Sequence, residues 1–305
     1  SKTYVELAKL SHLVGLEISQ ERKFPWQWLA EAECRERLTT LSLHEADIDN
    51  AAVSKLIAIE MPQLEALDLG FNDIDLPHQG LFQWSGFRNL RMLNLMLNSV
   101  GDTGDMSSVE ACKSAKAAAS EAVLRLESLL EAADRCPRLH VLDLSCNRLG
   151  ADHMACFQRH RLQRLTELSV SNNALNDLAV DELMKAKLPK LRLLDLASNA
   201  ITDDGVIALA KSPATSTLRC LNLGRNSLTD VGVAALAESE PLSELTHLDL
   251  YRNSFGERGV AALLDSKGFP HMQHLNIGDA EVAPATLKAL KKRFPGAVQQ
   301  KKYGS

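Results

Sequence analysis

The stretch LRLLDLASN, residues 191–199, sets the reading of this chain because it returns again and again. It recurs as LEALDLGFN from Leu64, LRMLNLMLN from Leu90, LHVLDLSCN from Leu139 and LTELSVSNN from Leu165. LRCLNLGRN from Leu218 and LTHLDLYRN from Leu245 continue the series. Weaker copies begin at Leu13, Leu38 and Met272. The ten starts fall at 13, 38, 64, 90, 139, 165, 191, 218, 245 and 272, so the steps are 25, 26, 26, 49, 26, 26, 27, 27 and 27. Only the 49 is irregular, and it marks an insertion about one repeat long.

Within one copy, alternation sends Leu191, Leu194 and Leu196 inward and Leu193, Asp195 and Ala197 outward on a short strand. Seven asparagines (Asn72, Asn98, Asn147, Asn173, Asn199, Asn226 and Asn253) end the strands, where a buried amide must be satisfied by backbone groups at a bend. Asp203 or Asp204 can cap the helix that follows. Val206, Leu209 and Ala210 stand at helical spacing, and Pro213 stops that helix. Gly205, Gly232 and Gly259 fall in phase in three consecutive units.

A consensus L-x-x-L-x-L-x-x-N at this period resembles the leucine-rich repeat family, and its length resembles the ribonuclease-inhibitor-like class. The resemblance implies an α/β leucine-rich repeat solenoid, a horseshoe of about nine to ten repeats. A concave parallel β-sheet would line its inside and helices its convex side. The expected organisation is an N-terminal cap or degenerate first repeat over 1–37 and repeats over 38–100. A helical insertion follows over 101–138, then repeats over 139–271, and a capping repeat with a basic tail over 272–305. Residues Tyr4 to Leu10 read either as the helical half of a repeat cut from a longer chain or as a helical cap.

Composition narrows the function classes. The net charge of −5 and the interspersed charges give no basic excess for nucleic acid. Apolar runs are too short for a membrane span. The six cysteines form no C-x-x-C, no N-x-[ST] sequon occurs, and no signal-like opening is present, which points to an intracellular, cytoplasmic setting. No nucleophile elbow, phosphate loop or H-E-x-x-H occurs, so no catalytic residue, cofactor or metal is expected.

Function is therefore sought where the repeat departs from itself. The central outward column reads Ser42, Asp68, Asn94, Asp143, Ser169, Asp195, Asn222, Asp249, Asn276. It is either an acidic stripe for a basic partner or a set of side chains bonded along the sheet. Phe71, Met92, Met96 and Leu97 form an apolar cluster that either binds a partner or lies under the insertion. Arg225, His247, Tyr251, Arg252 and His274 converge on adjacent strands, as interface anchors or as a solvated mixed-charge surface. His247 and His274 are possible metal ligands, but no acidic or cysteine partner is fixed by spacing. The insertion contains a run from Val109 to Arg135 without Gly or Pro, which predicts one helix of about 40 Å. Its C-terminal half would be the ordinary repeat helix, and the preceding GDTGDMSS reads as a loop. Phe24, Trp26 and Trp28, with Phe82, Trp84 and Phe87, read as fillers beneath irregular outer segments.

The expected function is a non-catalytic scaffold that binds another protein or peptide through the concave face. Two alternatives stand beside it. Repeat length also resembles the Ran GTPase-activating protein, which would give Arg22, Arg148 or Arg258 a role at a partner's active site. The chain would otherwise be the recognition arm of a larger effector, sensor or ligase.

Overall fold

A computed structural model describes residues 12–20, 24–74, 81, 83–98, 109–266 and 268–300, the side chains of 109–121 excepted. The helix-like opening at Tyr4–Leu10, the loop GDTGDMSS, Arg22, Phe82 and the last five residues of the tail lie outside the described residues. The rest divides into two compact units. One comprises residues 1–148 with 162–165, the other 149–161 with 166–305.

In the first unit, β1 (Gly15–Glu17), β2 (Thr40–Ser42), β3 (Ala66–Asp68), β4 (Met92–Asn94) and β5 (Val141–Asp143) pair in sequence order, all parallel. In the second, β6 (Glu167–Ser169), β7 (Leu193–Asp195), β8 (Cys220–Asn222), β9 (His247–Asp249), β10 (His274–Gly278) and β11 (Val298–Gln300) do the same. Each copy read from the sequence thus supplies one strand. The degenerate copy from Leu13 supplies β1, and β11 was not anticipated because VQQ carries no leucine pattern. Every inward leucine of the ladder is shut from solvent; Leu41, Leu67, Leu93, Leu142, Leu168 and Leu194 are all at 0% exposure. At about 1.5–3 kcal/mol per buried leucine side chain, this stripe is the main apolar contribution to each repeat.

The helices α1 (Trp26–Glu31), α2 (Asn50–Leu56) and α3 (Val109–Arg135) belong to the first unit. Those of the second are α4 (Ala151–Cys156), α5 (Asp177–Met184), α6 (Asp203–Lys211), α7 (Asp230–Ala237), α8 (Glu257–Asp265) and α9 (Pro284–Arg293). The insertion is one helix of 27 residues, as its composition predicts. Its C-terminal half packs as a repeat helix, with Ala122, Leu126, Leu129, Leu130 and Ala133 buried. Of the aromatic fillers, Phe24, Trp84 and Phe87 are buried and Trp26 and Trp28 half-buried, and the Trp84 indole N–H donates to the Ile59 carbonyl at 2.9 Å.

The asparagines tie each repeat to the one before it. Asn72 Oδ1 accepts the amides of Ala46 and Ile48 at 3.0 and 2.9 Å. Its Nδ2 donates to the carbonyls of Leu43, Leu69 and Gly70. Asn199 repeats the pattern on the amides of Asn173 and Leu175 and the carbonyls of Val170, Leu196 and Ala197. Asn147 bridges the 49-residue step, taking the Asn98 amide at 3.3 Å and giving to Leu95 O at 2.8 Å. One side-chain amide thereby satisfies backbone groups of two repeats that the strand ladder leaves unpaired.

The helix starts hold a second bridge, and here the structure corrects the sequence reading. Asp203 does not cap its own helix; Thr202 is the N-cap of α6. Asp203 instead reaches the next repeat, where Oδ1 accepts the amides of Thr229 and Gly232 at 2.8 and 2.9 Å. Asp177 does the same for Thr202, and Asp230 for the amides of Gly256 and Gly259. The carboxylate also lies at a helix N-terminus, where negative charge is favoured. This bridge explains the phased glycines. A Cβ on Gly205, Gly232 or Gly259 would stand 2.5, 2.4 or 2.9 Å from the Oδ1 of Asp177, Asp203 or Asp230.

Two stability outcomes follow from these bridges. Asn147→Ala leaves several backbone groups of a fully buried bend unpaired, so urea unfolding should show a loss of about 2–4 kcal/mol. Gly232→Ala should destabilise the chain, although alanine is intrinsically better in a helix by about 1 kcal/mol. A gain in stability for Gly232→Ala would show that the Asp203 carboxylate does not need that space.

Candidate functional site

On each strand the residues flanking the buried leucine face away from the core. They form columns, because parallel pairing is in register from repeat to repeat. The central column is assembled as read: Ser42, Asp68, Asn94 and Asp143 align in the first unit, and Ser169, Asp195, Asn222, Asp249 and Asn276 in the second. Gln299 of β11 extends the second series. Most of its bonds are structural. The Oδ1 atoms of Asp68, Asp195 and Asp249 accept the amides of Gly70, Ala197 and Tyr251 two residues on, at 2.9, 3.0 and 2.8 Å. Ser42 and Ser169 donate sideways to Asp68 and Asp195, and Asn276 to Asp249.

The position before each asparagine, and before Ala46 in the copy from Leu38, forms another column within each unit. Glu45, Phe71, Leu97, Cys146, Asn172, Ser198, Arg225 and Arg252 all have φ between 50 and 58°, a left-handed conformation that non-glycine residues rarely adopt. The bend demands it, since the amide of this residue must reach the next repeat: Phe71 to Met96 O at 2.8 Å, Leu97 to Ser145 O at 2.8 Å, Arg225 to Tyr251 O at 2.6 Å. Four of the nine candidate residues hold this position, Phe71 and Leu97 in the first unit and Arg225 and Arg252 in the second.

In the first unit Phe71, Met92 and Leu97 are 38, 36 and 42% exposed, large values for apolar side chains, and Met96 is half-buried beside them. His44, which the sequence reading passed over, completes the group. Its ring lies 4.7 Å from that of Phe71, and its Nδ1 is 3.5 Å from Asp68 Oδ2. Gly70 leaves room for it, for a Cβ there would come within 3.0 Å of His44 Nδ1.

In the second unit His247 and His274 pair directly across β9 and β10, their rings stacked with centroids 4.4 Å apart. Thr246 Oγ1 donates to Arg219 O at 3.0 Å and stands 2.8 Å from His247 Nδ1. Burial and the adjacent His274 hold the His247 pKa below the usual imidazole value of 6.5. The guanidiniums of Arg225 and Arg252 stand 6.0 and 5.3 Å from the centre of the Tyr251 ring. That ring depends on Gly278, at φ 59°, where a Cβ would meet Tyr251 Cδ2 at 2.9 Å. Below the histidines the sheet carries a groove of about 340 Å³ lined by Leu193, Cys220, Asn222, Asp249, His274 and Gln299 among others. Cys220 belongs to the same column as His247 and His274, a phasing visible in the sequence. Burial, and secondarily the charge of Glu167, push its thiol pKa up, so it is not a ready nucleophile.

Arg148 and Arg258 are exposed, and Arg148 has φ 55° just past Asn147. All five described cysteines are free thiols. Among the described residues no group of three or more His, Cys, Asp or Glu is placed to hold a metal ion. Among them, too, no helix is long and apolar enough to cross a membrane.

Family comparison agrees with this geometry. A model described as Leucine rich repeat matches residues 137–201, and a second model of the same description matches 215–237. The chain is a leucine-rich repeat protein. The matches do not single out the ribonuclease-inhibitor-like subclass. Among solved structures, an internalin from Listeria monocytogenes is similar at 19% identity, with a TM-score of 0.45, over 87% of this chain and 74% of that one. The APL1 leucine-rich repeat domain is similar at 14% identity, with a TM-score of 0.42, over 97% and 89%. Comparison with curated protein sequences gives no match.

The stacked imidazoles of this leucine-rich repeat protein give a direct spectroscopic check. In an NMR titration the ring protons of His247 should report a midpoint below 6.5, and His274→Gln should move that midpoint upward. A His247 midpoint at or above 6.5 would contradict the stacked, half-buried geometry.

Proposed function

We propose that the chain is a non-catalytic scaffold that binds another protein or an extended peptide through the open face of its sheet. The observation that carries this reading is where the side chains depart from the repeat. The core-facing positions keep their leucines, whereas the open face carries the larger apolar side chains of Phe71, Met92, Met96 and Leu97 in one unit. In the other it presents Arg225, His247, Tyr251, Arg252 and His274. Exposed apolar groups on a folded protein mark contact sites, and methionine adapts to varied partners. Tyrosine and arginine held against each other are the side chains that carry most binding energy at interfaces. Both groups stand on a frame that is fixed by inter-repeat bonds, so little order must be gained on binding. Leucine-rich repeat domains generally mediate protein–protein interaction, which fits this use of the face. The partner would be a protein or peptide rather than nucleic acid, since the face mixes both signs of charge.

Two double variants test the reading. Tyr251→Ala with Arg252→Ala, and Phe71→Asp with Met96→Asp, should each weaken partner capture from the native cell at least tenfold. Each should unfold with the parent's cooperativity. Val231→Ser, at an exposed position on α7, should capture as the parent does. If both open-face variants capture partners as well as the parent, the open face is not the binding surface.

A further inference from the structure

The groove of the second unit carries chemistry that names its occupant more closely. A glycine stands beside two of its lining residues, Asn222 and Asp249. Gly224 occupies the column between the strands' central residues and the bend, and a Cβ there would stand 3.2 Å from both Asn222 Oδ1 and Asp249 Oδ1. The glycine therefore leaves the Asp249 carboxylate reachable from the open side. That carboxylate is bonded to two neutral donors, the Tyr251 amide at 2.8 Å and Asn276 Nδ2 at 2.9 Å, so its charge is not offset. The nearby cations are held elsewhere: the guanidiniums of Arg225 and Arg252 lie toward the Tyr251 ring, and that of Arg219 pairs with Glu244 at 2.8 Å. The wall of the groove is flat and aromatic, made by the His247–His274 stack. Burial and the neighbouring His274 lower the His247 pKa, which disfavours an opposing charge there.

We propose that this groove receives an arginine side chain from an extended segment of the partner, with the guanidinium on Asp249 and its plane along the stacked His247 and His274. The inference rests on the open-face reading above and sharpens it. Charge complementarity selects a cation for a groove carboxylate whose hydrogen-bond donors, the Tyr251 amide and the Asn276 side chain, are both neutral. Of the two basic side chains, the planar guanidinium is the one that can both fork onto a carboxylate and stack on rings. Its aliphatic stem would cover Leu193 and the Cys220 thiol, which give the groove its apolar part. Asp195, two strands from Asp249 across Asn222, adds a further negative field along the same column.

The test uses the whole chain and three capped pentapeptides, Ala-Ala-X-Ala-Ala, with X arginine, norleucine or glutamate. Binding is followed by NMR at the His247 and His274 ring protons and the backbone amides of 247–251. The arginine peptide should shift these signals in a saturable way, at least tenfold more tightly than either other peptide. Asp249→Asn should weaken it at least tenfold. Asparagine already holds this position in β8 and β10, so the variant keeps the acceptor for the Tyr251 amide and the fold. Equal binding of the glutamate or norleucine peptide would overturn the proposal. Undiminished binding by Asp249→Asn, or no shift at these residues, would overturn it as well. Any of these outcomes, together with partner capture that Tyr251→Ala and Arg252→Ala still abolish, would remove the arginine but leave the open-face reading in place.

Discussion

The bond from an asparagine amide to the backbone of the preceding repeat is the constraint on which the rest of this structure depends. Strands of three residues, as all but β10 are, cannot hold a sheet by their own ladder bonds, and a repeat buries its leucines only against a neighbour. Each asparagine converts that dependence into geometry. It satisfies the amides of one bend and the carbonyls of two, as Asn72 and Asn199 do. The bend so fixed forces the residue before it into the left-handed region, and that residue's own amide then reaches the next repeat. The carboxylates of Asp177, Asp203 and Asp230 make the corresponding tie between helix starts. Where both are present, two independent ties, one at each end of the crossover, keep the register of the columns.

That register turns a repetitive core into a surface that can carry information. The positions that face the core are confined to leucine and asparagine by packing and by hydrogen bonding. The positions that face outward are not. What they hold is displayed at a spacing set by the strands, about 4.8 Å apart. A side chain in the left-handed column is further restricted, because its backbone cannot relax. Phe71, Leu97, Arg225 and Arg252 are thus aimed by the same bend that the asparagine builds. Leucine-rich repeat frames of this kind separate stability from recognition, which lets the face change while the core does not.

Much of this was legible in the sequence. The ladder of leucines and asparagines gave the strands, their order and their alternation, because each rests on a local pattern repeated many times, and the composition of the insertion gave the long helix Val109–Arg135. The columns followed from phase alone, and with them the convergence of His247 on His274 and of Tyr251 on its two arginines. What escaped was what lies between repeats. Asp203 looked like a cap for its own helix because a sequence shows only neighbours in the chain, whereas its partner is Thr229, 26 residues on. The phased glycines had no reading until the carboxylate above each was placed. His44 was missed because it precedes the regular asparagines, in a copy that ends in alanine. Strand β11 was missed because it pairs through backbone alone.

Hydrogen exchange on an asparagine variant tests the central constraint most directly. Asn226 Oδ1 holds the amide of Ile201 in the preceding repeat at 3.1 Å, and its Nδ2 reaches Leu196 O there at 3.0 Å. In Asn226→Ala the Ile201 amide should lose its protection, 25 residues upstream of the substitution, along with the bend around it. If exchange quickens only within residues 218–237 and Ile201 stays protected, the asparagine serves its own repeat alone and the account fails.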